Sequence, residues 1–238
     1  MDHQALALKD ADGRAEAVVL FLHGGRESGL TRPTRWNLPG LRMLPFVHAV
    51  RSVTDGHGVA TGVVRYRHCG WNGDRADAAR DVRDALGEIA RRCGPVPVVL
   101  VGHSMGGRAA LRVADHPRVR SVIALAPWCP AKEPVEHLAG VSTVIVHSDR
   151  DRVTEPRLSR VFAARARAAG APVCRFEIKG SDHAMLRHAA RWHRLTARLA
   201  TGLLGIEDLP LRVGAALRLD GGAPDGLDLD LASVAQEA

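Results

Sequence analysis

Lysine is almost absent: of 33 basic side chains only Lys9, Lys132 and Lys179 are lysines. The arginines are scattered through every segment. No basic run interleaved with aromatics occurs, and there is no zinc-finger spacing and no RNP-like pattern. The net charge of +7 and the pI near 10.0 are therefore read as an arginine-rich surface, and no nucleic-acid partner is expected. Cysteine is also scarce. Cys69, Cys93, Cys129 and Cys174 stand far apart and form no C-x-x-C pair, which argues against a disulfide framework and fits free thiols in a reducing compartment. The start of the sequence lacks a basic-then-apolar signal pattern, and no apolar stretch reaches membrane-spanning length. These absences lead to an expected cytoplasmic protein with no membrane partner. The histidines are dispersed, without H-x-x-x-H or H-E-x-x-H spacing, and no glycine loop carries the Lys-Ser/Thr of a phosphate cradle. Neither a metal nor a cofactor is expected.

What is present is a soluble-globular composition, 46% hydrophobic and 25% charged, over 238 residues, enough for one sizeable core. Short continuous apolar runs fall at residues 17–22, 58–67, 96–102, 120–127, 141–148 and 172–180. Runs of this length suit parallel strands buried on both faces. Helical patterns lie between them. Ala79, Val82, Leu86, Ile89 and Cys93 recur at spacings of three and four, with Asp74 as an expected N-cap. Further helices are expected at residues 108–115, 156–170 and 185–205. Strand and helix alternating in this way gives an α/β fold with a mostly parallel central sheet and helices on both faces. One domain over residues 1–205 is expected, followed by an extension over 206–238. Within that extension residues 211–219 read as an added strand or a docked arm, and disorder is expected at the extreme end.

The stretch "VGHSMGGRAAL" places Ser104 between a strand ending at Gly102 and the start of a helix. Strand, tight turn and helix are the setting in which G-x-S-x-G forms a nucleophile elbow. The two glycines leave room for close backbone approach, and the helix start supplies backbone N–H groups beside the hydroxyl. A serine hydroxyl needs a base, and the base needs an orienting carboxylate. Of the downstream histidines, His183 follows a strand end in "KGSDHAML", where catalytic groups of open α/β sheets gather. His188 and His193 fall within the helical pattern, and His147 reads as a packed core histidine. The acid should also leave a strand end, where "VIVHSDRDRVTEP" offers Asp149 and Asp151. Asp182 adjoins His183 too closely to face it, and Glu155 belongs to the next helix start.

The elements "LHGG", "GHSMGG", "APW", "HSDRDRVT" and "GSDHAML" together resemble the α/β-hydrolase superfamily, in its small serine-hydrolase branch of dienelactone-hydrolase-like and esterase members. The resemblance covers residues 17–205. Many members read H-G-x-x-D-x-x-V before the acid. His147 and Ser148 match the H-G, Asp151 the acid, and Val153 lies near the hydrophobic position; Ser148 in place of glycine keeps Asp149 as an alternative. The resemblance also implies an oxyanion hole from the N–H groups of Met105 and Gly25, with Arg26 as a rival by one position. Trp71, Asn72 and Trp128 are candidate pocket walls. The segment between the strands ending near Pro127 and starting near Val141 has room only for a short helix around 135–138, so a minimal cap is expected. The expected activity is a serine hydrolase acting through an acyl-enzyme on the ester or thioester bond of a small or compact substrate. An acyltransferase or non-hydrolytic cyclase on the same fold, and a non-catalytic binding protein, are the alternatives.

Overall fold

The apolar runs form strands β2 (Ala17–Leu22), β3 (Val59–Val64), β4 (Val98–His103), β5 (Val119–Leu125), β6 (Ser142–Ser148) and β7 (Val173–Ile178). Two short strands join them at the sheet's edges, β1 (Leu6–Lys9) and β8 (Leu229–Asp230). The structure is a computed structural model and describes residues 4–9, 15–34, 36–223 and 225–230. Among these the strands form one sheet in the order β1-β3-β2-β4-β5-β6-β7-β8, parallel throughout except for antiparallel β1. No helix among the described residues is long and apolar enough to cross a membrane.

Alternate residues of each central strand feed two separate cores, as the two-residue period of a strand requires. On β2, Val18, Leu20 and Leu22 join the core under α2 (Asp77–Cys93), α3 (Met105–Arg112) and α4 (Pro156–Ala168). Val19 and Phe21 join the opposite core, under α1 (Leu38–Thr54), α5 (Ala189–Leu204) and α6 (Leu211–Leu217). The helix after β2 thus lies on one face and the helix after β4 on the other. Neighbouring parallel strands whose helices part in this way open a crevice at their carboxyl ends. Ser104, next after β4, stands in it.

Several elements differ from the sequence reading, and the edge strand β1 was not among the expected strands. Helix α1 carries Pro39, Gly40 and an internal Pro45, signals that read as breakers. It forms because Asn37 accepts a hydrogen bond from the Gly40 N–H (2.8 Å) at its start, and because Met43, Phe46, Val50 and Thr54 are buried at helical spacing. Asp74 does not cap α2: residues Gly73–Arg75 form a separate 3-10 turn, and Ala76 at φ 46° leads into the helix at Asp77. Helix α5 starts at Ala189, not near Met185, because Met185 and His188 take positive φ in the loop that carries His183. Residues expected as a strand or arm near 211–219 form α6 instead, which packs on β7 through Val213 and Ala216. The added strand is β8, further along, beside β7 in the register Phe176 to Leu229. The extreme end, expected to lack order, lies outside the described residues. The β5–β6 connection holds only a 3-10 turn at Glu136–Leu138, so the cap is minimal.

Candidate active site

The turn after β4 is tight enough to dictate its residues. A Cβ on Gly102 would lie 2.3 Å from the Gly106 carbonyl oxygen, and one on Gly106 would lie 2.3 Å from that of Leu22. Any side chain at either position would drive α3 away from the sheet. Between them Ser104 has φ 56° and ψ −117°, a conformation that non-glycine residues rarely hold. Such strain persists where the surroundings over-determine it. Here the Ser104 N–H donates to the Leu125 carbonyl (3.0 Å), and its own carbonyl accepts from Arg108 (3.1 Å) and Trp128 (3.2 Å).

The loops after β6 and β7 bring two further side chains to this hydroxyl. His183 Nε2 is 3.1 Å from Ser104 Oγ, and His183 Nδ1 is 2.7 Å from Asp151 Oδ2. The three residues therefore form one hydrogen-bonded chain, although they lie up to 79 positions apart in sequence. Asp149 has another place. It is exposed, and its carboxylate accepts the Gly180 N–H at 2.7 Å, tying the β6 loop to the β7 loop. Asp182 accepts from the N–H groups of Leu186 and Arg187, both at 3.1 Å, and shapes the loop before α5. His193 lies edge-on to Phe46 on the face of α5, and His188 heads that helix.

Asp151 is buried, and burial alone would raise its pKa. Hydrogen bonds from His147, His183 and the backbone N–H groups of Thr154 and Val153 outweigh that and hold the carboxyl well below the usual carboxylate range. Oδ1 accepts the Val153 N–H (2.8 Å) and the Thr154 N–H (2.9 Å), while Oδ2 accepts the Thr154 hydroxyl (2.9 Å) besides His183. Thr154 and His147 are polar partners that the sequence reading did not assign to the site. The signal for both was their place in the same eight-residue segment as Asp151, "HSDRDRVT".

The N–H groups of Gly25 and Met105 are engaged by no acceptor among the described residues. Arg26, the rival donor, gives its N–H to the Cys69 carbonyl at 2.8 Å. A Cβ on Gly25 would fall 2.4 Å from the Met105 Cε, so the two candidate donors belong to residues in direct contact. Backbone bonds zip the loop after β2 to the loop after β3, among them Gly70 N–H to Gly29 carbonyl (3.0 Å) and Trp71 N–H to Arg26 carbonyl (2.9 Å). Asn72 belongs to this zip. Its amide oxygen accepts the Gly29 N–H (2.8 Å), and its amide nitrogen donates to Asp77 Oδ2 (2.7 Å). Trp71 is buried, with the Arg108 guanidinium 3.9 Å above its ring. Trp128 is half-buried, edge-on to Trp71 at 6.3 Å, with the same Arg108 guanidinium 4.3 Å from its ring. Arg108 in turn donates to buried Glu133 at 2.6 Å, which ties the segment after β5 to α3.

His103 stacks beside His183, with ring centroids 4.8 Å apart, and its Nε2–H donates to the His183 carbonyl at 2.9 Å. Burial first, then the neighbouring His183, lower its pKa to about 3. It stays a neutral strut under the loop that carries His183. No group of three or more His, Cys, Asp or Glu side chains able to hold a metal ion occurs among the described residues.

A sequence model described as the alpha/beta hydrolase family matches residues 19–224. Among solved structures, an alpha-beta serine hydrolase homologue from Coxiella burnetii is similar over 82% of this chain and 90% of its own, at 18% identity and a TM-score of 0.61. Est1E from Butyrivibrio proteoclasticus is similar over 84% of this chain and 93% of its own, at 15% identity and a TM-score of 0.60. The esterase domain of a Rhodothermus marinus protein covers 82% and 90% respectively, at 18% identity and a TM-score of 0.58. At these identities the likeness is one of fold. No curated protein matches the chain by sequence.

Proposed function

The chain belongs to the α/β-hydrolase family, and from that premise we propose that it is a serine hydrolase that cleaves carboxylic ester or thioester bonds through an acyl-enzyme. The observation that carries this reading is the continuous chain of hydrogen-bonding distances from Ser104 Oγ through His183 to Asp151. In this reading Ser104 Oγ attacks the substrate carbonyl as His183 Nε2 takes its proton. Asp151 keeps the other ring proton on Nδ1 and stabilises the imidazolium that forms. The Gly25 and Met105 N–H groups receive the oxyanion of the tetrahedral intermediate, held ready by the zipped loop and the helix start. His183 then hands its proton to the departing alcohol or thiol. Water repeats the sequence to release the acid and restore Ser104.

The minimal cap points to a small or compact acyl group. Each buried CH₂ is worth about 0.8 kcal/mol, and a connection that holds only a 3-10 turn adds few apolar walls to collect it. A fluorophosphonate probe tests the chemistry: it should label Ser104 in the native protein and fail to label Ser104→Ala. A p-nitrophenyl ester series from butyrate to palmitate tests the size. Rates should stop rising early in the series, without a jump at the micelle concentration. A rate that climbs through to palmitate would overturn the compact-substrate reading.

A further inference from the structure

Asp151 is flanked by two histidines, and only one of them faces the serine. His147, the penultimate residue of β6, has no exposed surface, and its Nε2 lies 3.2 Å from the same Oδ2 that receives His183. Nε2 is also 3.1 Å from the Thr154 carbonyl oxygen. Both of these neighbours are acceptors, and the third, the Thr154 hydroxyl at 3.3 Å, gives its one hydrogen to Asp151 Oδ2 at 2.9 Å. With one proton on the ring, that proton must therefore sit on Nε2, because a lone pair there would face two oxygens that cannot donate.

Nδ1 is then an acceptor and needs a donor. Ser159 Oγ stands 2.8 Å away. The Ser159 hydroxyl has one hydrogen and two takers, His147 Nδ1 and the Pro156 carbonyl at 2.9 Å. Arg175, with about 1% of its side chain exposed, resolves the competition. Its Nη2 reaches the Pro156 carbonyl at 3.3 Å, so Ser159 can turn its hydrogen to His147. Arg175 Nε donates to Ser159 Oγ at 3.2 Å, which fixes the oxygen as well. The guanidinium is anchored by the extension: Nη1 donates to the Leu227 carbonyl (3.2 Å) and to Asp228 Oδ1 (3.0 Å). Every buried polar atom along this line has a partner of the right kind.

We infer that His147 is a positioning residue, its Nε2–H fixed by Ser159 and Arg175 so that Asp151 holds Oδ2 toward His183, and that the segment at Leu227 and Asp228 completes the support. This rests on the reading of Asp151 as the acid partner of His183. A carboxylate gripped by backbone N–H groups on one oxygen and by His147 and Thr154 on the other cannot rotate away when His183 gains a proton. The effect should therefore appear in the chemical step and not in substrate binding.

The test uses the full chain with p-nitrophenyl acetate as probe, and measures kcat, KM and the far-downfield proton resonance of the His183 Nδ1–H. His147→Leu should lower kcat about ten- to hundredfold, with KM within about twofold, the range for losing a hydrogen bond to a charged group. It should also shift the downfield resonance. His147→Gln, which keeps an N–H donor toward Asp151, should recover most of kcat. Ser159→Ala removes only a hydroxyl, and it carries the test if His147→Leu fails to fold; it should lower kcat about tenfold and shift the same resonance. Wild-type kcat with an unmoved resonance in a folded His147→Leu or Ser159→Ala overturns the inference, as does a His147→Gln variant no better than His147→Leu. Ser104→Ala is measured beside them. If it retains full turnover, the serine-hydrolase reading falls and this inference with it. An inactive Ser104→Ala beside unaffected His147→Leu and Ser159→Ala overturns this inference alone.

Discussion

Along β6, Val144, Ile145 and Val146 have no exposed surface and join the two apolar cores, whereas the next two residues, His147 and Ser148, are equally buried and wholly polar. β4 repeats the change: Leu100 and Val101 are buried among apolar neighbours, then Gly102, His103 and Ser104 follow without leaving the interior. The middle of the sheet and its carboxyl end are thus both largely buried, with Ser104 alone reaching 8% exposure, but held by different forces. In the middle, stability comes from apolar area removed from water, which is non-directional and tolerates rearrangement. At the carboxyl end each buried group depends on one or two hydrogen bonds of fixed direction, and Ser104 is held in a strained conformation. A substitution in the first region should cost stability, and one in the second should cost turnover.

The sharpest way to separate the two regions is Ser104→Ala. Loss of a nucleophile costs roughly 10⁶ in kcat in serine proteases. Here the same loss is expected with a urea midpoint close to that of the parent protein. Asp151→Asn comes next. It lets the His183 tautomer reverse, and should cost on the order of 10⁴ in kcat, as in the protease case. Asp149→Asn, whose residue serves only the Gly180 N–H, should stay within about tenfold of wild type, since one hydrogen bond is worth about 1 kcal/mol. Steady-state kinetics on one ester ranks the pair, and the reverse ranking would move the acid to Asp149.

The converse experiment strikes the middle of the fold. Phe46 has no exposed surface and packs α1 on the sheet. Phe46→Ala should cost about 3–5 kcal/mol in denaturant unfolding, while the folded fraction keeps its kcat. A large fall in kcat per folded molecule would show that the two regions are not separable. The smallest expected effect is a gradual loss of stability in acid. His103 is lowered from 6.5 to about 3 in the folded chain, so it stays neutral there while the unfolded chain takes up a proton. Its contribution is complete above about pH 6.5 and is lost as pH falls toward 3, by at most about 1.4 kcal/mol per pH unit. Asp151, also lowered, adds to the loss once the pH drops below its unfolded value of 3.8. Urea midpoints across this range should fall with pH, and His103→Gln should flatten the upper part of the curve.

Much of this arrangement is legible along the chain because its signals are local. Six continuous apolar runs mark the central strands, and Gly102 and Gly106 mark a turn in which only glycine fits. A histidine between a strand end and the last long helix is where an α/β sheet gathers its chemistry. Helix α1 was hidden because its prolines and glycine argue against a helix locally, while the burial that overrides them comes from the far side of the sheet. The choice of Asp151 over Asp149 came from the resemblance and not from the residues themselves. Two residues apart in one loop, they differ only in which way the chain turns after β6, and sequence alone could not say which side chain meets His183 from 32 positions away. The same holds for Asn72, Trp71 and His147. Their residue types suit a pocket or a core, and their actual partners, Gly29, Arg108 and Ser159, become neighbours only once the sheet order is set. The sequence by itself determined the six central strands and the tight turn that carries Ser104, because backbone preference and hydrophobic period act over a few residues. Which carboxylate faces the histidine, which histidine stands behind that carboxylate, and what the last residues hold in place were decided by tertiary structure, because hydrogen bonds are directional and their partners are chosen by topology.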